Sequence, residues 1–439
     1  MCASVLSRCG VALSQIQPIR CHLCQQTPCL TQCAEHNDTL NQHAAEYVKL
    51  VLAIGHHEPL YVDAYYGPAQ WQAEASMLPL PELASRCASL VNQLANAGKD
   101  LSCQFLRDRH GFLSKQLGAV AAYLKRLMGQ EFSFDVESRL LYDTQAPKLN
   151  LSDFSEVLAR IDSLLPGEGS LTKRFDTYRS QFIVPADRVP QVFTAAVEQA
   201  RLLTKRHLAL PEGEQFRVEF VKDQIWTAYN WYQGDYASLI QLNQDHPLHL
   251  DRALELASHE GYPGHHVFNL LQEHELVKGL GWWEYAIYPL YSPISFLSEG
   301  SANYGLSLLM TKEERIDFEQ RVLMPMAGIA GDLQHYHEVM VTYKALANLD
   351  TLVCRQLIDG EIQADEAARL LVEFALYTPE KAAQRVRFYQ ANRSYVLNYH
   401  HGEASVGEYV TNQVRDNAQA WEVFAALLAR PRAASGIIR

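Results

Sequence analysis

His259-Glu260-Gly261-Tyr262-Pro263-Gly264-His265-His266, followed after a further run by Ser298-Glu299-Gly300-Ser301-Ala302-Asn303, is the stretch around which this chain is read. Segment 247–258 supplies a helix with Leu250, Leu254, Leu256 and Ala257 at buried positions, and it delivers His259 and Glu260 side by side. Adjacent residues on a helix point about 100° apart, so one side chain can ligate a metal while its neighbour faces bound water. In a regular helical zinc motif the second His stands four residues on, and that place is Pro263. Proline has no amide hydrogen and disfavours helical geometry at Tyr262, and Gly264 accepts unusual backbone angles. The helix must therefore bulge or break. A break lets His265 swing back beside His259, and His266 is the alternative.

The third ligand is expected from a separate element. Ser292-Pro293-Ile294-Ser295 reads as a helix start, with Ser292 as cap and Pro293 in the first turn. That helix carries Glu299 on a turn of small residues, and Asn303 four positions later shares its face and can hold a ligand His in one tautomer. His259, His265 and Glu299 then make three protein ligands with a position left open for water, and Glu260 is the base beside it, which is the composition of a catalytic zinc site. Among seventeen histidines a chance His-Glu pair is cheap. A Pro-Gly break within the motif and a Glu-bearing helix of small residues downstream are not.

Working outward, residues 216–221 alternate apolar and polar, and 228–241 is rich in aromatic and β-branched residues around the turn signal Gly234-Asp235. Two or three short strands are expected just before the metal helix. Everywhere else the periodicity is helical: 81–97, 101–128, 136–141, 153–165 and 189–206 before the site, and 313–322, 335–357, 364–376, 379–397 and 406–428 after it. Segments 57–59 and 65–68 read as loops. The expected fold is mainly α with a small sheet beside the metal helix. The expected organisation is a Cys-rich, poorly ordered leader over 1–34, a helical half over 35–175, and a catalytic half over 176–439.

Charge narrows the partners. Thirty-eight Lys and Arg against fifty Asp and Glu give a net charge of −12 in 439 residues, with no basic block to neutralise a phosphate backbone. No nucleic-acid partner is expected, and no apolar run is long enough to span a bilayer. Cys2, Cys9, Cys21, Cys24, Cys29 and Cys33 crowd the start, leaving Cys87, Cys103 and Cys354 for the rest. The body reads as a reduced, cytoplasmic protein. Cys21-x-x-Cys24 with Cys29 and Cys33 lacks the two well-separated pairs of a zinc knuckle, so a leader without a metal is the expectation.

The octapeptide His-Glu-Gly-Tyr-Pro-Gly-His-His, with Ser-Glu-Gly and Tyr304 downstream, resembles a broad bacterial family of uncharacterised proteins regarded as zincin-like. That family is similar to helical oligopeptidases and metallocarboxypeptidases in which a glutamate is the third ligand. The resemblance covers about residues 40–415 and includes Phe182-Ile183-Val184-Pro185, Ala228-Tyr229-Asn230-Trp231-Tyr232 and Tyr399-His400-His401-Gly402. It implies a zincin-like helical fold, metal ligands at His259, His265 and Glu299, and a base at Glu260. Two departures stand out: Ser301-Ala302-Asn303 replaces an aromatic and small residues, and the Cys-rich leader has no counterpart there.

The expected chemistry is zinc-dependent hydrolysis of a peptide, with Glu260 shuttling the proton and Tyr399, by the family's Tyr-x-x-Gly pattern, stabilising the oxyanion. His335, His337, Tyr395 and Arg393 are alternatives for that last role. An exposed strand edge near the metal helix would favour an extended peptide. Hydrolysis of a small amide or ester, or a non-enzymatic metal-binding or scaffold role, are the competing expectations. A carboxypeptidase would need a cation for the substrate carboxylate, and Arg385, Arg387 and Arg393 are its candidates.

Overall fold

A computed structural model describes residues 27–438 other than 102 and 225, with side chains from residue 34 onward. The fold is mainly α with two small sheets, as the periodicity leads one to expect. The first helix, Thr27–Gly55, begins inside the segment read as a leader. The remainder of that segment and all its cysteine side chains lie outside the described residues.

Five short strands are present among the described residues: β1 (Val62–Tyr65), β2 (Gln215–Val221), β3 (Ala228–Gly234), β4 (Ala237–Asn243) and β5 (Ile287–Pro289). The sheet beside the helix of the candidate metal motif has the order β2-β4-β3, with β2 parallel and β3 antiparallel to β4. The β3–β4 turn uses positive φ at Gly234, Asp235 and Tyr236. Glu273 ties it down by accepting from the amides of Asp235 (3.0 Å) and Tyr236 (3.2 Å) and from the Tyr232 hydroxyl. The second sheet pairs β1 with β5 across more than two hundred residues. The sequence reading assigned no element to residues 62–64 and placed Tyr65 in a loop.

Several helices are shorter than their apolar pattern. The run over 335–357 is two helices, Leu333–Lys344 and Leu349–Ile358, and the run over 406–428 falls into Leu397–Thr411 and Asn417–Leu428. Asp416 caps the last of these by accepting from the Gln419 amide at 2.9 Å. A helix at Leu171–Ser180, with Ser170 accepting from the Lys173 amide, went unread between two turn signals.

Two features place the helix that carries the candidate metal motif. Phe182 and Val184 hold its start, with Leu250 N donating to Phe182 O (2.9 Å) and Val184 N to Leu248 O (2.8 Å). The Pro293–Leu309 helix lies against the Leu397–Thr411 helix so closely that a Cβ on Gly300 would stand 2.5 Å from the Gly402 carbonyl carbon. Glycine on both helices allows that approach, and it brings Tyr399 beside the Glu299 helix.

Candidate metal centre

The helix Leu250–Leu256 does not end at the motif but widens into a π turn over Ala257–Gly261. The cause is local. Pro263 cannot donate to the carbonyl of His259, so Tyr262 N bonds Ala257 O (3.2 Å) and Gly264 N bonds Ser258 O (2.9 Å). The freed His259 carbonyl swings into the space a Cβ on Gly264 would fill, at 1.9 Å. Only glycine fits there. A new helix, His265–Gln272, starts at once, so the two histidines meet across the break.

Nε2 of His265 lies 3.1 Å from Nε2 of His259, and Glu299 closes the group, 3.4 Å from His259 Nε2 through Oε2 and 3.8 Å from His265 Nε2 through Oε1. All three ligand-type atoms lie within 4.8 Å of one another. The far side of each ring is held. His259 Nδ1 is 2.9 Å from Asn303 Oδ1, whose Nδ2 in turn donates to Tyr399 O (3.0 Å), and His265 Nδ1 is 3.0 Å from Ser298 Oγ. With Nδ1 protonated toward these acceptors, both Nε2 lone pairs face one point. Glu299 Oε1 accepts from the Tyr395 hydroxyl (2.7 Å), while Oε2 is buried without a hydrogen-bond partner.

Without a cation this group is electrostatically uncomfortable. Burial would lower the His259 pKa, but the adjoining Glu299 carboxylate, 3.4 Å away, and the charge of Glu260 raise it to about 9. Burial and then the His259 charge hold His265 down to about 4. Glu299 stays below its ordinary range because the adjoining His259 and the His265 charge outweigh its burial. One proton thus serves two facing nitrogens. A divalent cation would replace it, and the donor set of two imidazoles and a carboxylate with a vacant lone pair fits zinc.

His266 is not part of the group. It is fully buried and turned toward the sheet, with Nδ1 2.7 Å from Ser238 Oγ and Nε2 3.5 Å from Glu214 Oε1. Glu260 is only 5% exposed, and burial, opposed by the His259 charge and assisted by that of Glu299, pushes its carboxyl up to about 7. Its backbone carbonyl is fixed by Asn230 Nδ2 from β3 at 2.6 Å.

The remaining sequence candidates separate. The Tyr399 hydroxyl is half-buried, makes no hydrogen bond among the described residues, and is raised well above its ordinary pKa by burial and then by Glu299. Tyr395 bonds Glu299 directly. His337 is paired with Glu319 (2.6 Å), His335 with the Leu164 carbonyl (3.1 Å), and Arg393 with Glu137 (2.7 Å). Of the carboxylate candidates, Arg385 is engaged by Asp350 and Arg387 is exposed.

Sequence reasoning missed Asp63 and Tyr288, neighbours on the β1–β5 ladder. Asp63 sits at the irregularity between Val62 and Ala64 and accepts from the Tyr229 hydroxyl. Burial, eased by that bond and reinforced by Glu299, raises its carboxyl to about 7. Tyr288 also feels Glu299 and Asp63. Nothing local in either segment signals this meeting.

No family model matches the chain, and no curated protein matches it. Among solved structures it is similar to a "putative lipoprotein" from Colwellia psychrerythraea, at 12% identity over 82% of this chain and 64% of that one, with a TM-score of 0.48. This chain therefore spans less than two thirds of that protein's length. It is also similar to a "putative lipoprotein of unknown function" from Shewanella oneidensis, at 12% identity over 82% and 75% with a TM-score of 0.45. Metallocarboxypeptidase 1 of Trypanosoma cruzi is similar at 13% identity over 92% and 93%, with a TM-score of 0.46.

Proposed function

We propose that this chain is a zinc-dependent hydrolase acting on peptide bonds. The observation that carries the proposal is the convergence of His259 Nε2, His265 Nε2 and the partnerless Glu299 Oε2, each ring held from behind by Asn303 or Ser298. A divalent ion held there supplies Lewis acidity, bringing the pKa of a bound water to about 7 and polarising a carbonyl oxygen. Glu260, next to His259 on the π turn, takes the proton of the attacking water as the C–O bond forms. It returns that proton to the amine nitrogen as the C–N bond breaks. Its burial, which raises the carboxyl above its ordinary range, suits this two-way transfer. The Tyr399 hydroxyl remains protonated there and has no competing partner, so it is the donor assigned to the developing oxyanion.

A peptide is favoured over a small amide by β3. Its outer edge has no ladder partner among the described residues, and its Asn230 fixes the backbone of Glu260. An extended substrate can add to that edge by main-chain hydrogen bonds. The test is hydrolysis by zinc-loaded protein of a panel of internally quenched peptides, small amides and esters. Peptide cleavage that requires zinc and Glu260 supports the proposal; cleavage of small amides or esters alone, or none, overturns it.

A further inference from the structure

The carbonyl of Glu260 has lost its place in the helix. In a regular helix Gly264 N, four residues on, would donate to it, but around Pro263 Gly264 N bonds Ser258 O instead (2.9 Å). Asn230 Nδ2 takes the carbonyl from β3 at 2.6 Å. An amide side chain that donates with its nitrogen turns its oxygen the other way, and Asn230 Oδ1 accepts from the Ser238 hydroxyl on β4 at 3.1 Å. Asn230 stands opposite Ile240 across the ladder, so Ser238 is its diagonal neighbour on the buried side of the sheet.

The chain of bonds continues in one direction. Because the Ser238 proton goes to Asn230, the Ser238 oxygen is left to accept from Nδ1 of His266, 2.7 Å away. His266 and Ser238 are both buried, so neither side chain is open to bulk water. Behind the ring stands Glu214, whose Oε1 lies 3.5 Å from His266 Nε2. That buried carboxylate is itself held by Arg201 (2.8 Å through Nη2), by Lys205 (2.8 Å) and by the Tyr262 hydroxyl. Tyr262 and His266 flank the Pro263-Gly264 break, so Glu214 reaches both sides of it.

We propose that His266, Ser238 and Asn230 are positioning residues that hold Glu260 where it can move the proton of the attacking water. The effect on hydrolysis rests on the reading above, whereas the hold on the Glu260 backbone does not. The relay supplies the one helical bond that the Pro-Gly break takes from the base. His265 and His266 leave the same helix start about 100° apart, so one backbone segment serves the metal group and the relay. The adjacent histidines divide the work: His265 turns to His259 and Glu299, and His266 to the sheet. Without the relay the Glu260 carbonyl is released, while Asn303 and Ser298 still hold the ligand rings. A displacement of about 1 Å costs about 100-fold in rate, so the loss falls on turnover and not on metal. A network that only packed the sheet against the helix would lower stability and leave turnover per folded chain unchanged.

The experiment compares zinc-loaded wild type with Ser238→Ala, His266→Ala and His266→Asn, the last of which keeps an amide N–H near the place of Nδ1. Two quantities are read: hydrogen exchange by mass spectrometry over residues 257–266, with the helix Gln104–Leu127 as reference, and kcat and KM per folded chain on an internally quenched peptide. Ser238→Ala and His266→Ala are expected to keep stoichiometric zinc and to exchange about fivefold faster or more over 257–266 alone. Their kcat is expected to fall about tenfold or more with KM within about twofold, and His266→Asn to recover most of the loss. Wild-type kcat in Ser238→Ala, zinc lost in step with activity, or a His266→Asn chain no better than His266→Ala overturns the proposal. Ser238→Ala removes a single hydroxyl, so it decides the matter if the larger His266→Ala change prevents folding. If wild type cleaves no peptide, the hydrolase reading falls and exchange decides alone: unchanged exchange over 257–266 overturns the relay, and faster exchange confined there upholds it.

Discussion

Two buried charge clusters in this molecule are built on opposite plans. Arg109 and Glu284 are both wholly buried and form a bidentate pair, Nε to Oε1 at 2.6 Å and Nη2 to Oε2 at 2.9 Å. The remaining guanidinium nitrogen donates to Asn37 and Asn41 at 2.8 Å each, and the group lies 4.5 Å from the Trp282 ring centre. Each partner is satisfied. At His259, His265 and Glu299 the outer atoms are equally well held, but the inner ones face each other, two ring nitrogens 3.1 Å apart beside an unpartnered oxygen. A cluster that serves stability closes its hydrogen-bonding capacity on itself; one that awaits a ligand aims it at a common point.

The contrast is broken most sharply through chemistry. Glu260→Gln is expected to keep zinc and to lower kcat/KM by about 10²–10⁴-fold, the usual worth of a general base, as read by peptide hydrolysis alongside elemental analysis. Retained activity would remove Glu260 from its role. Arg109→Met addresses the other cluster: it leaves Glu284 buried and unpaired and is expected to cost about 3–5 kcal/mol in urea unfolding, with zinc content per folded chain unchanged. A loss of zinc in proportion would mean the two clusters are one unit.

Finer tests sharpen the same comparison. Asn303→Ala removes the acceptor behind His259 and is expected to weaken zinc binding about 10–100-fold, measured by competition with a chelator, while Asn303→Asp restores most of it. The smallest effect concerns stability without metal. The Glu260 carboxyl rises from 4.5 to about 7 on folding, so the folded state binds its proton more tightly and loses stability as pH rises between those values. Metal-free Glu260→Gln, which cannot ionise, is expected to be more stable than wild type at pH 8 by about 1–3 kcal/mol and no more stable at pH 4. An equal gain at both pH values would mean the effect is not ionisation.

The sequence revealed those parts of the site that short-range covalent rules determine. Pro263 and Gly264 force a bulge whatever surrounds them, which is why a His six residues after His259 meets it while His266 turns away. Asn303 followed from helical spacing after Glu299. Ser292 stands at the cap position with Pro293 in the first turn, as read, but its hydroxyl donates to Pro289 O at 2.6 Å instead of accepting from a helix amide. Asp63 and Tyr288 were illegible because their meeting depends on β1 pairing with β5. Long-range placement, not residue type, was the missing information.

Zinc stoichiometry after reconstitution, compared across wild type, His259→Ala, His265→Ala, Glu299→Ala and His266→Ala, tests the central claim most directly. Stoichiometric zinc in wild type and in folded His266→Ala, with loss in the other three, is the expected result. A wild-type chain that takes up no zinc, or a His265→Ala chain that binds it as tightly as wild type, would contradict the account.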